Sequence, residues 1–154
     1  MDPENTLNVE LSTGPVTIRL RPDLAPGHVA RIKELAREGF YDGIVFHRVI
    51  PRFMAQGGDP TGTGTGGSKK PNLPAEFSGE PHVRGVCSMA RTSNPDSANS
   101  QFFICFTDAR FLDRQYTVWG RVVEGMDNVD KLPKGEPPRD PGRIVSMKVA
   151  ADAK

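Results

Sequence analysis

Residues 46–59 read FHRVIPRFMAQGGD, and the fold turns on this stretch. Val45, Phe46, Val49 and Ile50 give its first half the β-branched and aromatic character of a strand. Pro51 removes a ladder donor and breaks that strand. Beyond the break stand two large apolar side chains, Phe53 and Met54, then the amide of Gln56 and the pair Gly57-Gly58. Side chains two apart share a strand face, which groups Arg48 with Phe46 and Ile50. A guanidinium among apolar groups needs a carboxylate, such as Asp59 or Glu76, or a task, because an unpaired buried charge is costly. His47 falls out of phase with Arg48 and reads as a hydrogen-bonded structural histidine.

On the N-terminal side, Leu7, Val9 and Leu11 alternate with Asn8 and Glu10, the pattern of a half-buried strand. Thr13-Gly14 makes a hairpin turn, and Val16, Ile18 and Leu20 carry a second strand up to Pro22. The spacing of Val29, Ile32, Leu35 and Ala36 predicts a helix over 26–38, opened by Pro26 and closed by Gly39.

On the C-terminal side, residues 60–74 (PTGTGTGGSKKPNLP) read as a flexible surface loop. The order Gly67-Ser68-Lys69 followed by Pro71 does not fit a phosphate-binding loop. Strands are predicted at 86–90, 101–106, 117–123 and 144–149. A single 3₁₀ turn falls at 108–113 and a short helix at 127–132. The strand at 101–106, QFFICF, is apolar on both faces, so protein or a ligand covers the second one. About eight short strands, mostly antiparallel, and two helices result. Such a mainly β chain can close its sheet and remove the edges. No repeat or linker divides it, so one domain over 1–154 is expected.

Composition narrows the function. The 154 residues carry a net charge of +1, with Lys and Arg spread along the chain, which argues against a nucleic-acid partner. Gly and Pro, 16 and 14 residues, make roughly a fifth of the chain, against an average of about 12%. Cys87 and Cys105 form no CxxC pair and read as reduced, buried or half-buried thiols, with a disulfide as the alternative that depends on their geometry. The acidic, polar start MDPENTLN is unlike a secretory signal. The longest apolar run, 102–106, is far short of the roughly 20 residues that span a bilayer. A soluble, cytoplasmic protein without membrane association is expected. No GxSxG surrounds a serine, and the His and Cys residues show no metal-ligand spacing, so neither a hydrolase nor a metal site is indicated. No cofactor is expected.

The stretch 46–59 resembles the catalytic segment of the cyclophilins, the peptidyl-prolyl cis–trans isomerases. Further blocks are similar: VCSMARTSNPDSANSQFFICF at 86–106, and Phe111-Leu112-Asp113 with Tyr116-Thr117-Val118-Trp119-Gly120. The likeness covers about residues 5–150. It implies a closed eight-stranded antiparallel β-barrel capped by two helices, with its interior filled and an active groove on the outside. It also implies rotation of X-Pro bonds in folding or folded proteins, without cofactor or covalent intermediate. Arg48 would stabilise the twisted bond. Phe53, Met54, Phe103 and Leu112 would hold the proline ring, with Phe111 and Tyr116 on the wall. Gln56 and Gln101 would orient the peptide and Arg48, and backbone at Ala90 and Arg91 would pair with it. Phe102, Ile104 and Phe106 would face the core.

Three positions depart from the commonest eukaryotic pattern. Phe111 stands where Trp is usual, Tyr116 where His is usual and Arg91 where Asn is usual; the first two resemble bacterial-type, cytoplasmic cyclophilins. Without the indole donor, cyclosporin-type binding is expected to be weak. The charge of Arg91 would favour acidic residues near the substrate proline. A monomer acting on proline-containing peptides and proteins is the expectation. The alternative is a proline-peptide-binding module or chaperone that uses the same groove.

Overall fold

The computed structural model describes residues 2–152; Met1, Ala153 and Lys154, which the expected domain includes, lie outside the described residues. The strands are β1 (Thr6–Leu11), β2 (Gly14–Leu20), β3 (Arg48–Ile50), β4 (Met54–Gly57), β5 (Val86–Met89), β6 (Phe102–Cys105), β7 (Val118–Glu124) and β8 (Ile144–Val149). Two helices, α1 (Pro26–Arg37) and α2 (Met126–Asp130), and a 3₁₀ turn at Arg110–Leu112 lie between them. All eight strands form one antiparallel sheet in the order β3-β4-β6-β5-β7-β2-β1-β8. The regular ladder is therefore linear, with β3 and β8 at its ends. Outside it, the Phe46 N–H donates to Gly142 and the Ile144 N–H to Ile44, each at 2.8 Å, so the sheet curls and its ends approach.

Seven strands fall where the residue pattern predicts them. The eighth, β4, follows Pro51 within the opening stretch and is too short, at 4 residues, to show a period. Its register decides the rest. Arg48 pairs with Gln56, Gln56 with Phe103 and Phe103 with Ser88, one row across four strands. The adjacent row is Val49, Ala55, Ile104 and Cys87. Successive side chains alternate between faces, so these rows lie on opposite sides of the sheet. The second row enters the main core with Phe102, Phe106 and Trp119. On the other side, Met54, Phe103, Cys105, Ala109 and Leu112 form a second, smaller apolar cluster, against which Ile50, Phe53, Ala90 and Tyr116 pack. That cluster is why QFFICF is apolar on both faces.

The grouping of Arg48 with Phe46 needs correction. Phe46 is fully buried in the main core, whereas Arg48 is exposed. Regular pairing starts only at Arg48, and residues 43–46 belong to the contact with 142–144, so strand phase does not run through from 46 to 48. Nor does Arg48 pair with Asp59 or Glu76. Glu76 caps α1, accepting from the Gly27 and His28 N–H groups at 3.2 and 2.8 Å. Asp59 accepts backbone N–H groups from Thr61, Thr63, Gly64 and Gly66.

The latter contacts also correct the reading of the glycine-rich segment as a free loop: it is wrapped around one buried carboxylate. Burial alone would raise the pKa of Asp59, but those amides and the Thr61 hydroxyl outweigh it and hold it well below the ordinary range. Gly58 makes the entry to this turn. Its φ is +96°, and a Cβ there would lie 2.4 Å from the Ser100 carbonyl oxygen, which only glycine avoids. The interior of the curled sheet is filled by Tyr41, Phe46, Phe102 and Trp119, with rings meeting edge to face. A lipocalin-like ligand cavity therefore has no room there. No described helix is long and apolar enough to cross a membrane.

Candidate active site

The outer row and the smaller cluster frame a concavity of about 130 Å³. Arg48, Phe53, Met54, Gln56, Ala90, Arg91, Phe103, Leu112 and Tyr116 line it. These come from β3, β4, β6, the end of β5 and the turn around Arg110–Leu112, so separate parts of the sequence meet in one place. Of the remaining expected residues, Gln101 lines the adjoining cavity and Phe111 stands on the rim. Phe111 is 67% exposed and packs on Phe53 with ring centroids 5.6 Å apart.

Arg48 is held but not neutralised. Its Nη1 donates to Gln56 Oε1 at 3.4 Å, and its Nε lies 3.7 Å from Glu136 Oε2. Both charged partners are about half exposed, where an ion pair contributes little. The amide chain behind Arg48 has a fixed direction. Gln101 Nε2 donates to the carbonyls of Gly64 and Gly66 at 3.0 and 2.8 Å. Its Oε1 is thereby turned to Gln56, whose Nε2 donates to it at 3.0 Å. Gln56 then has only its oxygen left to face Arg48. The wrapped Asp59 loop thus sets the orientation of the group that accepts from Arg48.

The backbone expectation at Ala90 is refined. The Ala90 N–H donates to Gln101 at 3.0 Å, while its carbonyl accepts no hydrogen bond among the described residues. Arg91 stacks over Tyr116, its guanidinium carbon 4.6 Å from the ring centroid.

Sequence reasoning missed the support behind Phe103. His82 is fully buried; Nδ1 lies 3.1 Å from Asp113 Oδ1 and Nε2 lies 3.1 Å from Ser88 Oγ. The order Asp113–His82–Ser88 is that of a hydrolase triad, yet Ser88 is completely buried and no substrate reaches it. Burial lowers the pKa of His82 despite the carboxylate beside it. Burial would raise Asp113, but Arg110 and the His82 amide and ring outweigh it and hold it at about 2. No local signal marks this group, because its members are 6 and 31 positions apart. His47 is buried as expected of a structural residue, but its Nδ1 has no hydrogen-bond partner among the described residues.

A curled antiparallel sheet with a packed interior, carrying an arginine and an apolar pocket on its outer face, places the protein in the cyclophilin fold class. Residues 6–149 match the family described as "Cyclophilin type peptidyl-prolyl cis-trans isomerase/CLD". A "Probable peptidyl-prolyl cis-trans isomerase" of Brucella suis is 54% identical, the match covering 99% of this chain and 86% of that one. "Peptidyl-prolyl cis-trans isomerase B" of Bacillus subtilis is 43% identical over 79% of this chain and 85% of its own length. The crystal structure of a cyclophilin from Hirschia baltica superposes with a TM-score of 0.93 at 34% identity, covering 100% of this chain and 77% of that one. A Cryptosporidium parvum cyclophilin crystallised in the presence of the dipeptide Ala-Pro gives a TM-score of 0.87 at 28% identity, covering 94% and 98%. The chain belongs to the cyclophilin-type peptidyl-prolyl cis–trans isomerase family, and it is an isomerase of X-Pro peptide bonds.

Proposed function

We propose that Arg48 is the catalytic residue and that the 130 Å³ concavity holds the proline ring. The single observation carrying this reading is the placement of the solvent-facing Arg48 guanidinium on the rim of an apolar pocket built by Phe53, Met54, Phe103 and Leu112. The barrier to X-Pro rotation, about 18–20 kcal/mol, comes from resonance that holds the C–N bond planar. Twisting the bond localises the lone pair on the prolyl nitrogen. A fixed cation aimed at that nitrogen favours the twisted state over the planar one. Lowering the barrier by about 7 kcal/mol gives roughly 10⁵-fold acceleration. No bond is made or broken, so neither a nucleophile nor a cofactor enters the step.

Gln56 and Gln101 hold Arg48 and border the peptide. The Ala90 carbonyl takes an N–H from the extended substrate. Phe111 and Tyr116 complete the wall, and Arg91 lies at its polar side. Proline-containing peptides and proteins, unfolded or folded, are the substrates, an assignment supported by the Ala-Pro dipeptide named with the Cryptosporidium relative. The hydrogen bonds between 43–46 and 142–144 support reading the curled sheet as a closed barrel. The continuity of that sheet supports one domain over 1–154. The two unpaired, buried thiols support residence in the cytoplasm. Weak cyclosporin binding follows from Phe111, which has no N–H to donate.

A protease-coupled assay on a proline peptide tests the assignment. Arg48→Ala is expected to lower kcat/KM by at least about 10²-fold, the scale of removing one preorganised electrostatic group. Wild-type kcat/KM in that variant would refute the mechanism. Exchange spectroscopy on a bound peptide separates turnover from mere capture.

A further inference from the structure

Next to the proline pocket lies a larger cavity of about 550 Å³. The two share Gln56, Ala90 and Arg91, so an extended peptide seated in one reaches the other within a residue or two. Its lining is unlike that of the proline pocket. Ser68, Thr92, Ser97, Asn99 and Gln101 present hydroxyls and amides, and Arg91 is the one charged residue that lines it among the described residues. Asp96 belongs to the same 92–97 loop, but its Oδ1 accepts the Ala75 N–H at 2.8 Å.

The partners of Arg91 fix its position without cancelling its charge. Nε and Nη2 donate to the Gln115 carbonyl at 3.1 and 2.5 Å, and Nη1 donates to the Thr92 carbonyl at 2.9 Å. The Tyr116 ring lies beneath. All are neutral, and no carboxylate lies within ion-pair distance of Arg91 among the described residues. Three of the five guanidinium N–H groups are used, so two remain for a ligand. A cation tethered in place by dipoles is preorganised: an incoming anion does not have to order it.

We infer that this cavity is a substrate subsite for an acidic side chain, a carboxylate close to the proline in sequence, and that Arg91 reads it. The inference rests on the isomerase reading and assigns it a substrate class. The donors of Ser68, Thr92, Ser97 and Asn99 are spent on one another and on loop carbonyls, so the charge of Arg91 carries the attraction, and the same charge repels a lysine there. Arg91 is then a specificity-determining residue, distinct from Arg48, whose charge acts on the prolyl nitrogen.

Two series of proline peptides test this, with Glu, Gln or Lys placed two positions before the proline in one and directly after it in the other. In at least one series, wild-type kcat/KM for Glu is expected to exceed that for Gln by about two- to fivefold, the range of a partly exposed ion pair, with Lys below Gln. The preference shrinks as salt rises toward about 1 M, where the screening length falls to about 3 Å. Arg91→Gln brings the Glu-to-Gln ratio to one, and Arg91→Lys, which keeps the charge, retains it. Equal rates for Glu and Gln in both series of the wild type would overturn the inference while leaving the isomerase intact. A ratio unchanged in Arg91→Gln would also overturn it. Acceleration of no peptide at all would remove the isomerase reading and this inference together.

Discussion

His82 lies flat against Phe103, with ring centroids 6.2 Å apart and planes 20° from parallel. Phe103 lines the concavity proposed to hold the proline ring, so the imidazole is the floor beneath that wall. Asp113 and Ser88 fix the imidazole from its two nitrogens. His82→Leu fills similar space but removes one hydrogen bond from each partner, while Asp113 keeps the residue-82 amide and Arg110 and Ser88 keeps the Thr117 carbonyl. It is expected to destabilise the fold by about 1–3 kcal/mol, the scale of two lost side-chain hydrogen bonds, one of them to a charged group. It is also expected to lower kcat/KM by loosening Phe103. Thermal unfolding and the peptide assay check the two effects, and unchanged activity would show that Phe103 is held by other contacts.

Asp59 acts on the groove from a distance. Asp59→Asn places an amide NH₂ among the loop's N–H donors, and should cost about 1.5–3 kcal/mol, the scale of hydrogen bonds to a charged group. The loop carbonyls of Gly64 and Gly66 that orient Gln101 would shift with it. The expected outcome is a lower melting temperature together with a drop in kcat/KM. Full activity in the folded variant would mean that the amide chain from Gln101 to Arg48 does not depend on the loop.

The three histidines and the hydrogen-bonded carboxylates set one direction of pH dependence. Burial lowers the pKa of His28, His47 and His82. The unfolded chain therefore binds protons before the folded one as pH falls through the ordinary histidine value, and stability drops. For Asp113, held at about 2, and for Asp59 and Glu76, hydrogen bonds outweigh the burial that would raise them, and all three lie below their ordinary values. Their contribution is present above those ordinary values and lost as pH falls through and below them. Calorimetry across acid to neutral pH should find a melting temperature that declines below about pH 6.5 and falls more steeply below about pH 4.5. A melting temperature that rose on acidification would contradict both assignments.

Phe111 separates inhibitor binding from the fold. It is 67% exposed and rests on Phe53, so Phe111→Trp should change stability by no more than about 0.5 kcal/mol. The new indole N–H adds a donor at the rim. Cyclosporin affinity measured by calorimetry is expected to rise, with isomerase activity near that of the wild type. No gain in affinity would place the limit on macrocycle binding elsewhere in the groove.

Much of this molecule is written in short-range pattern. Alternation at 7–11, 16–20 and 144–149 specifies strands, because a sheet with one buried face imposes a period of two. The helical stripe at Val29, Ile32, Leu35 and Ala36 specifies α1 in the same way. The motif FHRVIPRFMAQGGD, with SQFFI downstream, marked the residues that line the groove. Pattern could not reach the features set by pairing between distant segments. The four-residue β4 has no period to read, and the phase between Phe46 and Arg48 fails because the chain leaves the ladder there. Only the folded sheet brings His82 and Asp113 beneath Phe103, turns the glycine-rich segment around Asp59, and sets Arg91 over Tyr116. Each of these depends on contacts across dozens of positions, where register and burial decide which groups meet.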